Sequence, residues 1–257
     1  MRISIITVVK NGMPYLKDAI KSFEMQKYKD KELIIVYAKS NDNTEEYLKN
    51  SLVKNCTLIK DTKNNRYAAI NAGIKKSTGQ IIGLLHSDDI FFNKNTLLNI
   101  SKYIKKRKCD VVYGGIYFSE RNNLKKIKRI WKPYNLNENN IISGRMPPHV
   151  GMFIKKVVFE NIGYYSNKYL ISSDYDFILR ILLSKKFKIE STHKFHNIMR
   201  LGGDSTNIIK FFYKLKEDYQ IIKEHNLSIF ILIIKLLSKI FQIKKKNINN
   251  IYLDQFS

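Results

Sequence analysis

Two carboxylates stand side by side at Asp88 and Asp89, with His86 and Ser87 just before them and an apolar run at 81–85 ahead of those. Neighbouring carboxylates repel one another unless positive charge lies beside or between them. A divalent cation held through oxygen ligands, shared with the diphosphate of a substrate, supplies that charge. The competing reading is that the pair opens a turn and caps a helix beginning near Asn95. The run itself is preceded by Gly79 and reads as a strand buried on both faces. Such a strand delivers its functional groups at its carboxyl end, in the crevice where open α/β sheets bind ligands.

The elements that must position these groups follow by alternation. Residues 3–9 form an apolar strand, and Asn11-Gly12-Met13-Pro14 a turn. Pro14 suits the first turn of a helix whose Leu16, Ile20 and Phe23 share one face. A second strand at 32–37 leads to Ser40-Asn41-Asp42-Asn43-Thr44, which supplies N-cap chemistry for a helix through Leu48. A strand at 56–60, a helix at 67–76 closed by Gly79, the acidic strand, a helix from about 95 to 106 and a strand at 110–118 complete the series. This order predicts βαβ units and an α/β fold with a mainly parallel sheet covered by helices. Beyond Glu120 the pattern loosens into a hairpin around Asn122-Asn123, a loop at 146–148, a helix at 174–183 and a Gly-Gly turn at 202–203.

The chain has 257 residues, enough for one domain with an appendage and a sizeable core. Its net charge of +24 and pI near 9.8 raise the question of nucleic acid. Lys, Asn, Ile and Tyr are heavy throughout, and the basic residues cluster only at 102–108, 125–129 and 244–246. That reads as compositional drift, and without a recognition-helix motif or an aromatic RNA platform no nucleic acid is expected as a partner. Cys56 and Cys109 are isolated and fit buried, reduced thiols of a cytosolic protein. The first apolar run begins at once and lacks a cleavage site, so it reads as a strand and not a signal peptide.

Taken in order, several segments resemble family 2 glycosyltransferases of the GT-A fold, of the type that builds bacterial surface polysaccharides. Ser4-Ile5-Ile6-Thr7-Val8-Val9-Lys10-Asn11-Gly12 is similar to the family's opening. Ala69-Ile70-Asn71-Ala72-Gly73-Ile74, Ser77-Thr78-Gly79 and the run from Ile81 to Asp89 resemble its central signature. Ser172-Ser173-Asp174-Tyr175-Asp176-Phe177 with Arg180 resembles its acceptor-side acidic segment, and Arg200-Leu201-Gly202-Gly203-Asp204-Ser205 its late Gly-Gly loop. The resemblance covers residues 3 to 206. It implies a GT-A-like, Rossmann-like nucleotide-sugar-binding domain over 1–206, followed by a C-terminal helical tail over 207–257.

The resemblance also implies the chemistry. An inverting enzyme would move a sugar from a nucleotide-diphosphate donor, by preference a UDP-sugar, to a hydroxyl of a glycan or lipid-linked acceptor, with Mg²⁺ or Mn²⁺ as cofactor. Asp88 matches the principal metal carboxylate and Asp89 its partner near the donor, while His86 stands where similar enzymes often carry another Asp. Asp174 is the best match for the base that takes the acceptor proton, with Asp176 as alternative base, acceptor contact or helix cap. Thr7, Val9 and Asn11 should floor the base and ribose site through backbone groups, with Ser40 and Asp42 in the loop beside them. Tyr37, Lys63 and Ala68 depart from acidic positions usual in the family. Either Tyr37 grips the nucleotide differently or the chain is a catalytically weak or inactive sugar-nucleotide-binding subunit. Asn71 is a sugar or phosphate contact or a helix-surface residue, and His149 a donor or acceptor contact or a structural residue. Arg200 is a diphosphate clamp or a surface residue, and Trp131 with Tyr134 a sugar platform or a core edge.

Residues 229–243 are almost all apolar, broken at helical spacing by Lys235, Ser238-Lys239 and Gln242 and followed by three lysines. The run falls short of the roughly 20 residues that span a bilayer. A helix lying in an anionic membrane surface is one reading, and a helix packed on the domain or on a second copy is the other. The first places the protein in the cytoplasm, peripheral at the inner face of the membrane.

Overall fold

A computed structural model describes residues 1–51, 53–63, 65–136, 146–202, 208–235 and 251–252. Gly203, Asp204 and Ser205 of the late loop and 236–246 of the tail lie outside the described residues. The elements run β1 (Ile3–Val9), α1 (Leu16–Glu24), β2 (Lys31–Ala38), α2 (Thr44–Asn50), β3 (Cys56–Asp61), α3 (Arg66–Lys76), β4 (Ile81–Leu84), β5 (Ile90–Phe91), α4 (Thr96–Arg107), β6 (Val111–Glu120) and β7 (Asn123–Trp131). A 3₁₀ turn (His149–Gly151), β8 (Met152–Lys155), α5 (Lys156–Ile162), α6 (Ser173–Ser184), β9 (Ile189–Arg200), α7 (Ile208–Glu224) and β10 (Ile251–Tyr252) follow. Pro14 lies in the turn before α1 rather than in its first turn.

The sheet is mixed. Strands β3-β2-β1-β4 are parallel, as the alternation predicts. The second half adds β8, β6, β7 and β10 through antiparallel pairs, while β9 runs parallel to β6 and antiparallel to β5. Alternation along β1 divides the core between two faces. Ile3, Ile5 and Val9 pack with Leu16, Ile20 and Phe23 of α1 and Leu97, Ile100 and Ile104 of α4. Ile6 packs with Tyr67, Ile70 and Ile74 of α3 and with Phe177, Ile178 and Ile181 of α6. The chain moves outward from β1 to β2 and β3, then returns to β4 on the other side. This is the strand reversal at which such sheets bind ligands. Pairing of β1 with β2 continues to Val9 and Tyr37, but the β1–β4 register ends at Ile6 and Leu84. The two strands part there, and residues 86–89 leave from that fork.

A buried polar clamp fixes the entry to β4. Glu32 accepts from the Ser4 hydroxyl, from Thr78 N–H at 2.7 Å and from Gly79 N–H at 3.1 Å. Burial raises the Glu32 pKa, but these bonds and Arg2 outweigh it and hold the carboxyl low. Gly79 is required by close approach, since a Cβ would lie 2.3 Å from Ser4 Oγ and 2.8 Å from its backbone nitrogen.

Helix α7 lies beyond the expected boundary at 206, yet it is built into the same core through Ile221 and Ile222. Its Glu217 accepts the backbone N–H groups of Leu170, Ile171 and Ser172 at 2.8–2.9 Å, which fixes the entry to α6. The tail reading needs one correction. Lys235, expected on an outward basic stripe, turns inward to Asp218 Oδ2 at 2.8 Å and lies over the Tyr175 ring. Asp218 is buried, so its charge draws that ammonium out of water. Ile231 of the same helix is buried, whereas Ile229, Phe230 and Ile233 are exposed. No helix among the described residues is long and apolar enough to cross a membrane.

His196 anchors β9 over the sheet. Nδ1–H donates to Gly151 O at 2.8 Å, and Nε2 accepts the Thr192 hydroxyl at 2.8 Å. Gly114 makes room, because a Cβ there would approach the ring to 2.7 Å. Burial lowers this imidazole from 6.5 to about 4. The unfolded chain therefore takes up a proton below about pH 6.5 that the native protein refuses until about pH 4. Stability should fall by about 3 kcal/mol as pH drops across that window, at about 1.4 kcal/mol per pH unit. Urea denaturation at a series of pH values should show this slope, and His196→Gln should flatten it while lowering stability at pH 7.

Candidate active site

Residues 86–89 turn from β4 into β5, closed by Asp89 N–H on His86 O at 3.1 Å. Because β5 pairs with β9, with Ile90 opposite Ile198, the turn is tied to the end of β9 and so to Arg200. Arg200 donates its backbone N–H to Asp89 Oδ1 at 3.3 Å, Nη1 to Asp88 O at 2.8 Å, Nε to Arg121 O at 3.0 Å and Nη2 to Asp18 Oδ2 at 2.5 Å. Its side chain is only 5% exposed. The surface reading of Arg200 is corrected, because its side chain is buried and through these bonds it holds the acidic turn. Arg121, which sequence reasoning missed, lies in the β6–β7 hairpin with Nη1 3.5 Å from Asp88 Oδ2. Both guanidinium groups lie over the Tyr15 ring, each 4.6 Å from its centre.

Asp89 is 1% exposed, and among the described residues no hydrogen bond reaches its Oδ2. Burial pushes its pKa up, against the pull of His86, whose Nδ1 stands 3.4 Å from Oδ2. His86, Asp88 and Asp89 offer ligand atoms that all lie within 4.8 Å of one another. An unsatisfied buried carboxylate oxygen beside a second carboxylate and an imidazole fits a divalent cation. The helix-cap reading of the pair is not what the geometry gives, because Asn95 stands at the cap of α4.

A line of contacts leads from this corner to α6. His86 Nε2 lies 3.3 Å from His149 Nε2, and His149 Nδ1 lies 3.0 Å from Asp174 Oδ2. Tyr67 OH lies 3.1 Å from Asp174 Oδ1 and donates to Ile171 O at 2.7 Å. Burial raises the Asp174 pKa, but His149, with Lys214 and Arg66 beyond it, outweighs that and holds the carboxyl well below the usual range. The structure thus brings Asp88, Asp89, His149 and Asp174 together.

Other expected site residues prove to be occupied elsewhere. Asp176 faces away, with Oδ2 receiving Arg180 Nε–H at 3.0 Å and Oδ1 3.0 Å from His225 Nε2. It locks α6 to its surroundings, and the alternative assignment as base is corrected. Asn71 is neither a sugar contact nor a helix-surface residue. Its amide donates to Tyr165 O at 2.7 Å and accepts Tyr165 N–H at 3.1 Å, both buried. Trp131 packs with Ile116, Phe118 and Val150, and Tyr134 lies beside Tyr113, so the core-edge reading describes both.

At the nucleotide end, the loops after β1 and β2 are laced together. Asn11, at φ 52°, donates N–H to Ser40 Oγ at 3.0 Å and accepts Asn41 N–H at 2.8 Å. Asp42 accepts Met13 N–H at 2.9 Å and Thr44 N–H at 3.0 Å, and these bonds hold its carboxyl low against the raising effect of burial. Ser40 and Asp42 therefore shape the loop through committed side chains. Thr7 and Val9 are buried at the fork, with Val9 in the α1-side core, and Tyr37 packs against that same core. A separate cavity of about 470 Å³ between α4 and β9, lined by Phe92, Thr96, Tyr103 and Phe195 among others, contains none of the grouped residues.

A family model described as Glycosyl transferase family 2 matches residues 4–162, from β1 through α5. An uncharacterized glycosyltransferase of Methanocaldococcus jannaschii is 25% identical over 217 residues, covering 82% of this chain and 74% of its own. A PGL/p-HBAD biosynthesis glycosyltransferase of Mycobacterium bovis is 26% identical over 181 residues, covering 69% of this chain and 68% of its own. Among solved structures, residues 1–349 of S. aureus TarS in complex with UDP-GlcNAc align with a TM-score of 0.66 at 19% identity, over 86% of this chain and 66% of that one. The mannosyltransferase PcManGT from Pyrobaculum calidifontis, in complex with GDP-Man and Mn²⁺, aligns with a TM-score of 0.64 at 13% identity, over 87% and 64%. The chain thus spans just under two thirds of each of these solved chains and 37% of the longer TarS chain, and at these identities the likeness concerns the fold. With the family match running through the acidic turn and the GT-A architecture around it, this protein belongs to glycosyl transferase family 2.

Proposed function

We propose that this glycosyltransferase moves a sugar, with inversion, from a nucleotide-diphosphate donor, most in keeping with a UDP-sugar, to a hydroxyl of a glycan or lipid-linked acceptor in cell-surface polysaccharide biosynthesis. The observation that carries the reading is the line of contacts from Asp88 and Asp89 through His86 and His149 to Asp174. One end suits a cation and diphosphate, and the other is a carboxylate kept ionised. The acceptor oxygen bonds to the anomeric carbon as the bond from that carbon to the diphosphate breaks, and the hydroxyl proton passes to Asp174. A bound Mg²⁺ or Mn²⁺ would neutralise the charge that grows on the leaving diphosphate. Asp88 and Asp89 would hold it. Arg121 adds positive charge beside Asp88, and Tyr67 and His149 orient the Asp174 carboxylate. UDP-GlcNAc in TarS and GDP-Man with Mn²⁺ in PcManGT are donors of proteins with the same fold, which supports a nucleotide sugar here.

A second reading, a weak or inactive nucleotide-sugar-binding subunit, draws on Tyr37, which packs on the core, and on Ala68 at the start of α3. Turnover separates the two. Asp88→Ala should abolish cation-dependent transfer with little change in melting temperature, since its half-buried pair with Arg121, at a long 3.5 Å, is worth about 1 kcal/mol. Asp174→Asn should lower kcat by about 10² to 10⁴-fold while donor affinity hardly moves. Undiminished activity of Asp88→Ala, or of the wild type in chelator, contradicts the cation assignment. Collapse of donor binding in Asp174→Asn contradicts the base assignment.

The reading extends to a peripheral position at the inner face of the cytoplasmic membrane. Exposed Phe212 and Tyr213 of α7 and exposed Ile229, Phe230 and Ile233 support docking on an anionic lipid surface by a chain of net charge +24. Because Ile231 and Lys235 are bound into the domain, substitution is a cleaner test than truncation. Phe212→Ser combined with Phe230→Ser should reduce co-sedimentation with vesicles rich in anionic lipid without unfolding the protein. Wild-type protein that ignores such vesicles contradicts the membrane reading.

A further inference from the structure

Helix α4 and strand β9 leave a cleft of about 470 Å³ between them. That volume falls within the range of about 300 to 1,000 Å³ that small-molecule sites occupy. The cleft exists because β9 bulges. Tyr113 of β6 pairs with Ser191 and Gly115 with Phe195, so Thr192, His193 and Lys194 stand opposite Gly114 alone. The surplus residues must leave the ladder, and His193 takes a left-handed φ of 54° to do so. Gly114 makes room, since a Cβ there would lie 2.4 Å from Lys194 O. Local strain of this kind gathers at ligand sites. Here the bulge forms one wall of the cleft and α4 the other.

The lining has an aromatic part and a basic part. Phe92, Tyr103 and Phe195 are half-buried in it, and Phe195 stacks on Tyr117 with ring centres 4.0 Å apart, which leaves its second face to the cleft. Around these rings stand the exposed ammonium groups of Lys102, Lys106 and Lys194. In a chain so rich in lysine, three of them alone would say little. No carboxylate lines the cleft, however, and none of the three is in an ion pair among the described residues. A concave surface of one charge sign gathers counter-ions, and flat apolar rings suit the apolar faces of sugars. The side-chain amide of Asn99, also in the lining and unpartnered among the described residues, can donate to and accept from hydroxyls.

We propose that this cleft binds an anionic oligosaccharide, with sugar rings on Phe195 and Phe92 and phosphate or carboxylate groups on Lys102, Lys106 and Lys194. The choice of a saccharide rests on the transferase reading, but the site uses none of Asp88, Asp89 and Asp174. A lipid fits less well. The exposed aromatic residues offered to a lipid surface belong to α7, which packs on the other face of the sheet from α4. The cleft is therefore no part of that surface, and it holds a charged glycan apart from the residues that carry the transfer.

The test is the binding of fluorescently labelled oligosaccharides to the full chain, read by anisotropy in chelator and without nucleotide sugar, so that neither the cation corner nor turnover enters. A phosphodiester-linked oligomannoside and an oligogalacturonate separate the two sources of charge, and a neutral dextran oligomer is the control. At least one anionic probe should bind, more weakly as salt rises, and the neutral one should not. Combining Lys102→Ser, Lys106→Ser and Lys194→Ser should weaken binding by about tenfold. Removing three exposed lysines elsewhere, with Lys49→Ser, Lys54→Ser and Lys76→Ser, should cost far less. Phe195→Leu, which keeps an apolar side chain against Tyr117, should weaken the oligosaccharide by about three- to tenfold and leave inorganic tripolyphosphate unaffected. Equal losses in the two lysine variants overturn the proposal, because the attraction is then that of the net charge alone. Undiminished binding by Phe195→Leu also overturns it. Loss of anionic vesicle binding in the cleft lysine variant, with no oligosaccharide bound by the wild type, assigns the cleft to lipid and overturns it as well. Failure of the wild type to bind either anionic probe overturns the proposal and leaves the transfer reading intact.

Discussion

A carboxylate buried to 1% exposure with one oxygen left unsatisfied is the constraint around which this structure is arranged. Burying a charge without partners is strongly unfavourable, so Asp89 must be surrounded by compensating groups. Arg200 supplies one from the end of β9, and also takes the Asp88 carbonyl, Asp18 of α1 and the Arg121 carbonyl of the β6–β7 hairpin. One guanidinium therefore joins four parts of the chain at the carboxyl end of β4. His86 and the open oxygen of Asp89 remain directed at the corner where a cation fits.

The two halves of the sheet divide the work. The parallel half creates the fork between β1 and β4 and sets the acidic turn at it. The antiparallel additions bring the opposing groups. β8 follows the 3₁₀ turn that carries His149, β9 ends in Arg200, and α6 carries Asp174 with its entry held by Glu217 of α7. Rings of Phe159, Phe177, Tyr165 and Tyr67 stack from α5 across α6 to α3, which fixes the Tyr67 hydroxyl against Asp174. Residues far from one another in the chain thereby share one short hydrogen-bonded line.

How much of this was legible in the sequence depended on element length. The strands β1 to β4 and the helices α1, α3 and α4 were visible, because apolar runs and helical periodicity extend over enough residues to be read. β5 was not, since two residues carry no period, and β8 was not read as a strand either. At the site, Asp88 and Asp89 stood out by adjacency, but Asp174 and Asp176 looked alike in the first turn of one helix. Two positions along a helix are about 200° apart, so only one of them can face the site. Arg180, four residues after Asp176, was the overlooked sign that Asp176 is a structural partner. Asn71 falls with Tyr67, Ile70 and Ile74 on the spacing of a buried face, which marked it as interior. Arg121, Lys214 and Glu217 act through tertiary approach alone, and no local pattern announced them.

The central claim is that the corner of Asp88 and Asp89 binds a nucleotide sugar together with a divalent cation. It is tested most directly by thermal unfolding of the wild-type chain against a panel of UDP- and GDP-sugars, each with and without Mn²⁺. The account predicts that a UDP-sugar raises the melting temperature only when Mn²⁺ is present, with stabilisation growing with ligand concentration as selective binding to the native state requires. Equal stabilisation in chelator, or none from any nucleotide sugar in the panel, would contradict it.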